Sequence, residues 1–141
     1  MQKMTPDEYK RFLLDTPRTA KLASVRASGQ AHVAPIWFDL DGDTLVFTTW
    51  HATVKAANLR RDPRVSLCID DDMPPFAFVI FEGIAALSED PAELLRWAAS
   101  IAGRYMGSDQ AEAFGRRNGV PGELLVRVTP TRVVAKAKVS D

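Results

Sequence analysis

Apolar and polar positions alternate over much of this chain, with proline, glycine and aspartate punctuating the runs, and only a few stretches carry a helical spacing. Thr5-Pro6-Asp7-Glu8 supplies an N-cap, a proline at the first helical position and early acids. It opens a helix whose apolar contacts are Phe12, Leu13 and Leu14 and which Pro17 ends. Two extended segments follow, Ala20 to Arg26 and Ala31 to Leu40, separated by Ala27-Ser28-Gly29-Gln30. Asp41-Gly42 joins the second to a third, Asp43 to Thr49, and Asp-Gly between apolar runs is a strong hairpin signal. A helix from about Thr53 to Arg61 stops at Asp62-Pro63. Arg64 to Ile69 and Phe76 to Leu87 read as strands on either side of the acidic turn Asp70-Asp71-Asp72-Met73-Pro74-Pro75. Asp90-Pro91-Ala92-Glu93 starts the best-marked helix, with Leu94, Ala98, Ile101 and Tyr105 as its apolar stripe and Gly107 at its end. A short helical piece, Asp109 to Arg116, and a glycine-rich turn lead to a long β segment, Glu123 to Lys138, interrupted at Thr129-Pro130.

About six strands with helices at the margins predict a mostly β chain folded as one domain over residues 1–141, a small antiparallel barrel. A parallel sheet needs a crossover after each strand, and most connections here are too short. A barrel of this size fills its interior with side chains, so a ligand is expected outside the wall or between subunits. A site shared by two chains is one of these two arrangements.

Composition narrows the partners. The 141 residues carry 18 lysines and arginines against 18 aspartates and glutamates, so no net field draws the protein to nucleic acid or anionic lipid. The lone Cys68, inside the apolar run Val65 to Ile69, excludes a disulfide framework and a cysteine zinc site, and reads as a small buried hydrophobe. No run of 18 apolar residues exists and the segment Met1 to Asp15 has no signal-peptide core, which leads to the expectation of a cytoplasmic protein without a membrane partner.

The candidate chemistry sits in Phe47-Thr-Thr-Trp-His-Ala-Thr-Val-Lys-Ala-Ala-Asn-Leu59, an apolar strand running into a short helix. Thr48, Thr49 and Thr53 offer hydroxyls there, the first helical turn offers free N–H groups and a favourable dipole, and Lys55 adds a full positive charge, so the junction suits a phosphate. The same residues equally suit an ordinary helix with Thr53 as N-cap and Lys55 in solvent.

Pro35-Ile36-Trp37-Phe38 followed by Leu40-Asp41-Gly42-Asp43, the Phe47 to Leu59 junction, and above all Asn58-Leu59-Arg60-Arg61-Asp62-Pro63-Arg64-Val65-Ser66-Leu67 resemble the flavin-binding split-barrel superfamily of pyridoxamine 5'-phosphate oxidases. Within it the likeness is to the branch that uses the deazaflavin coenzyme F-420, and it runs from about Arg18 to Val139. The resemblance implies a six-stranded antiparallel split β-barrel with two to four flanking helices. It further implies an obligate homodimer and two equivalent cofactor sites at its interface. Carried over, it places the cofactor's phosphate at Thr49, Thr53 and Lys55, with Thr48 and Asn58 nearby. Members that use flavin mononucleotide, FMN, typically carry serine-arginine-lysine where this chain has Thr53-Val54-Lys55. The missing arginine removes a bidentate donor that lysine does not replace, which favours F-420 over FMN.

The strand Ala31 to Phe38 resembles the wall on which the flavin-type ring lies. Alternation puts His32, Ala34, Ile36 and Phe38 on one face and Val33, Pro35 and Trp37 on the other, unless Pro35 marks a bulge. Pro35 argues for an edge or irregular stretch, where the N–H groups of Ile36 and Trp37 are placed to meet the ring edge. Phe38 reads as core. His32 either lines the ring pocket or is a polar neighbour of a loop, and His51 reads as a solvent-facing loop residue. Neither histidine has a carboxylate at a telling spacing, so no catalytic side chain is expected. Asp70, Asp71 and Asp72 read as a solvated tip rather than a metal site. Arg60, Arg61 and Arg64 either extend the anion site or lie on the surface or an interface, and Trp50 and Trp97 are interface or core aromatics. The function expected is hydride transfer between F-420 and a small conjugated organic substrate. An FMN enzyme of the same fold and a non-catalytic cofactor carrier are the alternatives, and in each case the cofactor brings the chemistry and the protein supplies position.

Overall fold

The computed structural model describes residues 1–141. After a two-residue strand β1 (Gln2–Lys3), helix α1 (Pro6–Asp15) begins with a reciprocal cap. The Thr5 hydroxyl accepts the Glu8 N–H at 3.2 Å, and the Glu8 carboxylate accepts the Thr5 N–H at 3.0 Å. There follow β2 (Ala20–Val25), β3 (Ala31–Ile36), β4 (Asp39–Asp41), β5 (Thr44–Trp50), α2 (Val54–Arg61), β6 (Arg64–Asp71), β7 (Ala77–Ser88), α3 (Pro91–Met106), α4 (Ala111–Asn118) and β8 (Glu123–Ala137). A 3-10 turn at Ser108–Gln110 precedes α4. The Asp90 carboxylate caps α3 by accepting the Ala92 and Glu93 N–H groups at 3.0 and 3.2 Å.

All strand pairs are antiparallel, in the order β3-β2-β6-β7-β8-β5-β4, with β1 on the far end of β8. The two edges of this sheet, β3 and β4, are successive pieces of one stretch of chain. The sequence pattern made Ala31 to Leu40 a single strand. The structure breaks it at Trp37-Phe38, so that β3 pairs with β2 at one edge and β4 with β5 at the other. The sheet therefore curls round on itself without closing, which is the split barrel expected. Pro35, which cannot donate to a ladder, lies on the edge strand β3 two residues before the split.

The interior is packed with Leu22, Phe38, Leu45, Phe47, Leu67, Ile69, Val79, Phe81, Val126 and Val128, sealed below by Leu13 of α1. Outside the wall, Val46 of β5 and Leu125 of β8 form a second small cluster with Leu94 and Trp97 of α3, so this helix roofs the β5–β8 face. Burial along β3 follows the expected alternation, with Ile36 inside and Pro35 exposed. The interruption expected at Thr129-Pro130 is a shift in register rather than a gap: Glu82 faces Arg132 while Gly83 faces Pro130, leaving Thr131 as the extra residue. Cys68 departs from the expectation of a buried hydrophobe. It is half-buried on the outer face of the sheet, because β6 turns Leu67 and Ile69 inward, and burial raises its thiol pKa above the ordinary value. Asp70 and Asp71, expected in a solvated turn, continue β6 and pair with Lys21 at 3.1 Å and Arg18 at 3.8 Å.

Gly83 is required by this register shift, since a Cβ there runs into the Thr129 carbonyl oxygen and meets the Val128 Cγ1 at 2.7 Å. Backbone cannot move aside as a flexible side chain does. Gly83→Ala is expected to destabilise the fold by about 1–3 kcal/mol in urea denaturation, the range for overpacking a tight interior site.

Candidate functional site

The split in the barrel opens a cleft of about 370 Å³ between the β3–β4 break, the start of α2 and the underside of α3. Its lining is mostly non-polar, with Pro35, Ile36 and Trp37 from the break and Ala98, Ile101 and Ala102 from α3. Thr19, Thr48, Lys55 and Asn118 supply the polar part. Five residues expected at the site from sequence thus meet in one cleft: Pro35, Ile36, Trp37, Thr48 and Lys55.

The polar end is built by the turn from β5 into α2. The Thr53 hydroxyl donates to the Trp50 carbonyl at 3.0 Å, and accepts the Ala56 N–H at 3.2 Å and a 2.9 Å bond from the buried Thr49 hydroxyl. With its proton given to Trp50, Thr53 leaves Thr49 as the donor of that last bond. Both hydroxyls are consumed in shaping the turn, so these two threonines hold the helix start rather than offer themselves to a ligand. What the turn presents instead are the N–H groups of Val54 and Lys55, which have no partner within the helix, the Thr48 side chain and the Lys55 ammonium. No ion pair in the chain takes up Lys55. Nearby arginines are committed elsewhere, Arg60 to the His51 carbonyl at 3.0 Å and Arg61 to the Val25 carbonyl and Asn58.

Two further expected residues stand apart from the cleft. Asn58 is 3% exposed and donates to the Ser24 hydroxyl at 3.1 Å while accepting from Arg61 at 3.3 Å, so it ties α2 to β2. His32 sits across from Ser24 in the β2–β3 register with its Nδ1 buried and unpaired, beside Asn58's partner rather than in the cleft. His51 is exposed, as expected, and donates its backbone N–H to Gly122.

The apolar end is held by the last turns of α3. The Trp37 indole stacks on Tyr105 with centroids 4.8 Å apart and planes 2° from parallel, leaving Trp37 40% exposed. The Tyr105 hydroxyl donates to the Arg18 carbonyl at 2.6 Å and accepts the Phe38 N–H at 3.3 Å, while burial raises its pKa above the ordinary phenol value. Arg104 donates to the Phe38 and Leu13 carbonyls and lies 4.9 Å over the Phe38 ring. One helix end thus satisfies the backbone groups that the broken strand leaves free. Sequence reasoning missed the α3 contribution, Ala98, Ile101, Ala102 and Tyr105, because the same stripe serves for core packing. It also missed Thr19 and Asn118, whose only signal is their place in the fold.

Residues 5–137 match the family described as pyridoxamine 5'-phosphate oxidase. The chain belongs to this family. A conserved hypothetical protein from Mycobacterium tuberculosis has a TM-score of 0.85 and 30% identity, over 97% of this chain and 87% of its own. A protein named F-420 reductase has a TM-score of 0.68 at 26% identity, over 91% of this chain and 95% of its own. An FAD-binding protein from Mesorhizobium loti shares the fold alone, with a TM-score of 0.71 at 18% identity over 95% and 93% of the two chains. No curated protein matches the sequence. No helix of this member is long and apolar enough to cross a membrane.

Because the Tyr105 hydroxyl serves two backbone groups at once, Tyr105→Phe leaves the stack on Trp37 but strands the Arg18 carbonyl and the Phe38 N–H. A loss of about 1–3 kcal/mol in urea denaturation is expected. An unchanged midpoint would show that the break does not depend on this hydroxyl.

Proposed function

We propose that this protein is an oxidoreductase that uses the deazaflavin coenzyme F-420, held in the cleft of the split barrel, to reduce a small conjugated organic substrate. The observation that carries the reading is the meeting, in one cleft, of a flat apolar wall and an unpaired ammonium at a helix start. That donor set fits a planar ring with an anionic arm. The ring would lie against Pro35, Ile36 and Trp37 under Ala98, Ile101 and Ala102, and the arm would reach Lys55, Thr48 and the N–H groups of Val54 and Lys55. When bound, the coenzyme supplies the hydride. The chain's own part is to position: the Trp37–Tyr105 stack fixes one wall, the α3 roof excludes water, and Lys55 fixes the end of the cofactor.

The 26% identity to a protein named F-420 reductase supports the deazaflavin over FMN. So does the lone ammonium. The doubly charged phosphomonoester of FMN calls for more than one cation, and Arg60 and Arg61 are turned to backbone carbonyls instead. Binding without turnover, as in a cofactor carrier, is the contrasting reading, and a screen of electron-poor acceptors with the reduced coenzyme separates the two.

The active unit is proposed to be a homodimer. The outer face of β2, β3 and β6 carries Ala23, Val33, Ser66 and Cys68, with Val33 64% exposed and shallow depressions running across it, a small-residue surface suited to a second copy. Sedimentation is expected to give twice the 15.6 kDa of one chain. Titration of the purified protein is expected to show F-420 binding tighter than FMN. Lys55→Ala is expected to weaken F-420 by roughly 1.5–3 kcal/mol, the range for a hydrogen bond to a charged group. Tighter binding of FMN, or an unchanged dissociation constant for the variant, would overturn this assignment.

A further inference from the structure

The β5–β8 register places an acid beside the anion end of the cleft. Trp50 faces Glu123 and Thr48 faces Leu125, so Glu123, Trp50 and Thr48 share the sheet face that α3 roofs. Glu123 is half-buried there, and like Lys55 it belongs to no ion pair. Arg127, two rows along the same face, is by contrast fully committed to Asp41 at 2.6 Å and Glu93 at 2.9 Å. The other titratable groups around Glu123 are few. Glu89 shares with it a pocket at the start of α3, and the His51 ring lies against Gly122.

A carboxylate next to a phosphate site is an unfavourable neighbour unless it does something. We propose that Glu123, which lies beside Thr48 of the cleft on the same sheet face, is the internal counter-charge of the anion site: it is ionised while no anion is bound, and takes up one proton from solvent when an anion binds. Burial already raises the Glu123 pKa above 4.5, against the opposing pull of the Thr48 hydroxyl and the Lys55 charge. An anion arriving at Lys55 screens the one cation that favours the carboxylate and adds a like charge beside it, so both effects push the same way. The step is a proton transfer alone: a solvent proton joins a carboxylate oxygen and nothing is oxidised or reduced.

The inference rests on the proposed anion site and specifies its pH behaviour. Since binding takes up a proton, affinity falls as pH rises. The fall begins at the Glu123 pKa of the free protein, which lies above 4.5, and ends at the still higher value of the complex. Within that window the dissociation constant rises up to about tenfold per pH unit.

The test uses inorganic sulfate, whose charge is constant over the working range, titrated calorimetrically into the full-length protein in buffers of different ionisation enthalpy from mildly acid to mildly alkaline pH. Uptake approaching one proton is expected in the wild type and in His51→Gln, none in Glu123→Gln, and tighter alkaline binding in Glu123→Gln than in the wild type. Absence of proton uptake by the wild type at every pH, or the same uptake in Glu123→Gln, overturns the role of Glu123 and leaves the anion site standing. Sulfate binding that survives Lys55→Ala, or no binding of sulfate or F-420 by the wild type, instead overturns the site itself and this inference with it.

Discussion

The turn that carries β5 into α2 is the constraint on which the cleft depends. Three bonds converge on one oxygen, the Thr53 hydroxyl, from Thr49 inside the barrel, from the Ala56 amide of the helix and to the Trp50 carbonyl at the strand end. That convergence fixes the angle between strand and helix, and with it the direction in which Val54 and Lys55 point. Because the helix is only eight residues long, its own hydrogen bonds do little to hold it, and the docking of Ala56 and Leu59 with the Asn58–Ser24 bond completes the anchorage. A charge on the flexible stem of lysine is useful only if its backbone is held in place.

The second constraint is the broken strand. The sheet has eight strands where six were expected, partly because one expected strand is split into β3 and β4; to curl far enough to bring its edges together it must bridge them with something, and here one run of chain serves both edges with two residues left between. Phe38 turns into the core and Trp37 turns out, and the end of α3 supplies partners for the backbone between them. The cleft is thus the gap in the barrel wall, roofed by the helix that stabilises the gap. Fold and site are one feature.

Much of the fold was legible in the sequence because its signals are local. The caps at Thr5, Thr53 and Asp90, the Asp41-Gly42 turn and the alternation on β3 each follow from a few neighbouring residues. What was not legible depends on contacts between distant segments. The division of Ala31 to Leu40 between two edges is set by the curl of the whole sheet. Asn58 looked like a ligand by family pattern, and only the packing of α2 on β2 turns it to Ser24. Thr49 and Thr53 were rightly drawn to the junction, yet their hydroxyls have finite bonding capacity and the turn uses it. Ala98, Ile101 and Tyr105 were read as one apolar stripe, and sequence cannot divide such a stripe between a core and a cavity.

Function in this protein is proposed to turn on the start of α2 gripping the anionic end of a ring-bearing cofactor. The most direct measurement is a crystal structure of the protein soaked with F-420. The cofactor phosphate is expected within hydrogen-bonding distance of the Lys55 Nζ and the Val54 or Lys55 amide, with the ring against Trp37. Cofactor density elsewhere, with Lys55 turned to solvent, would contradict it.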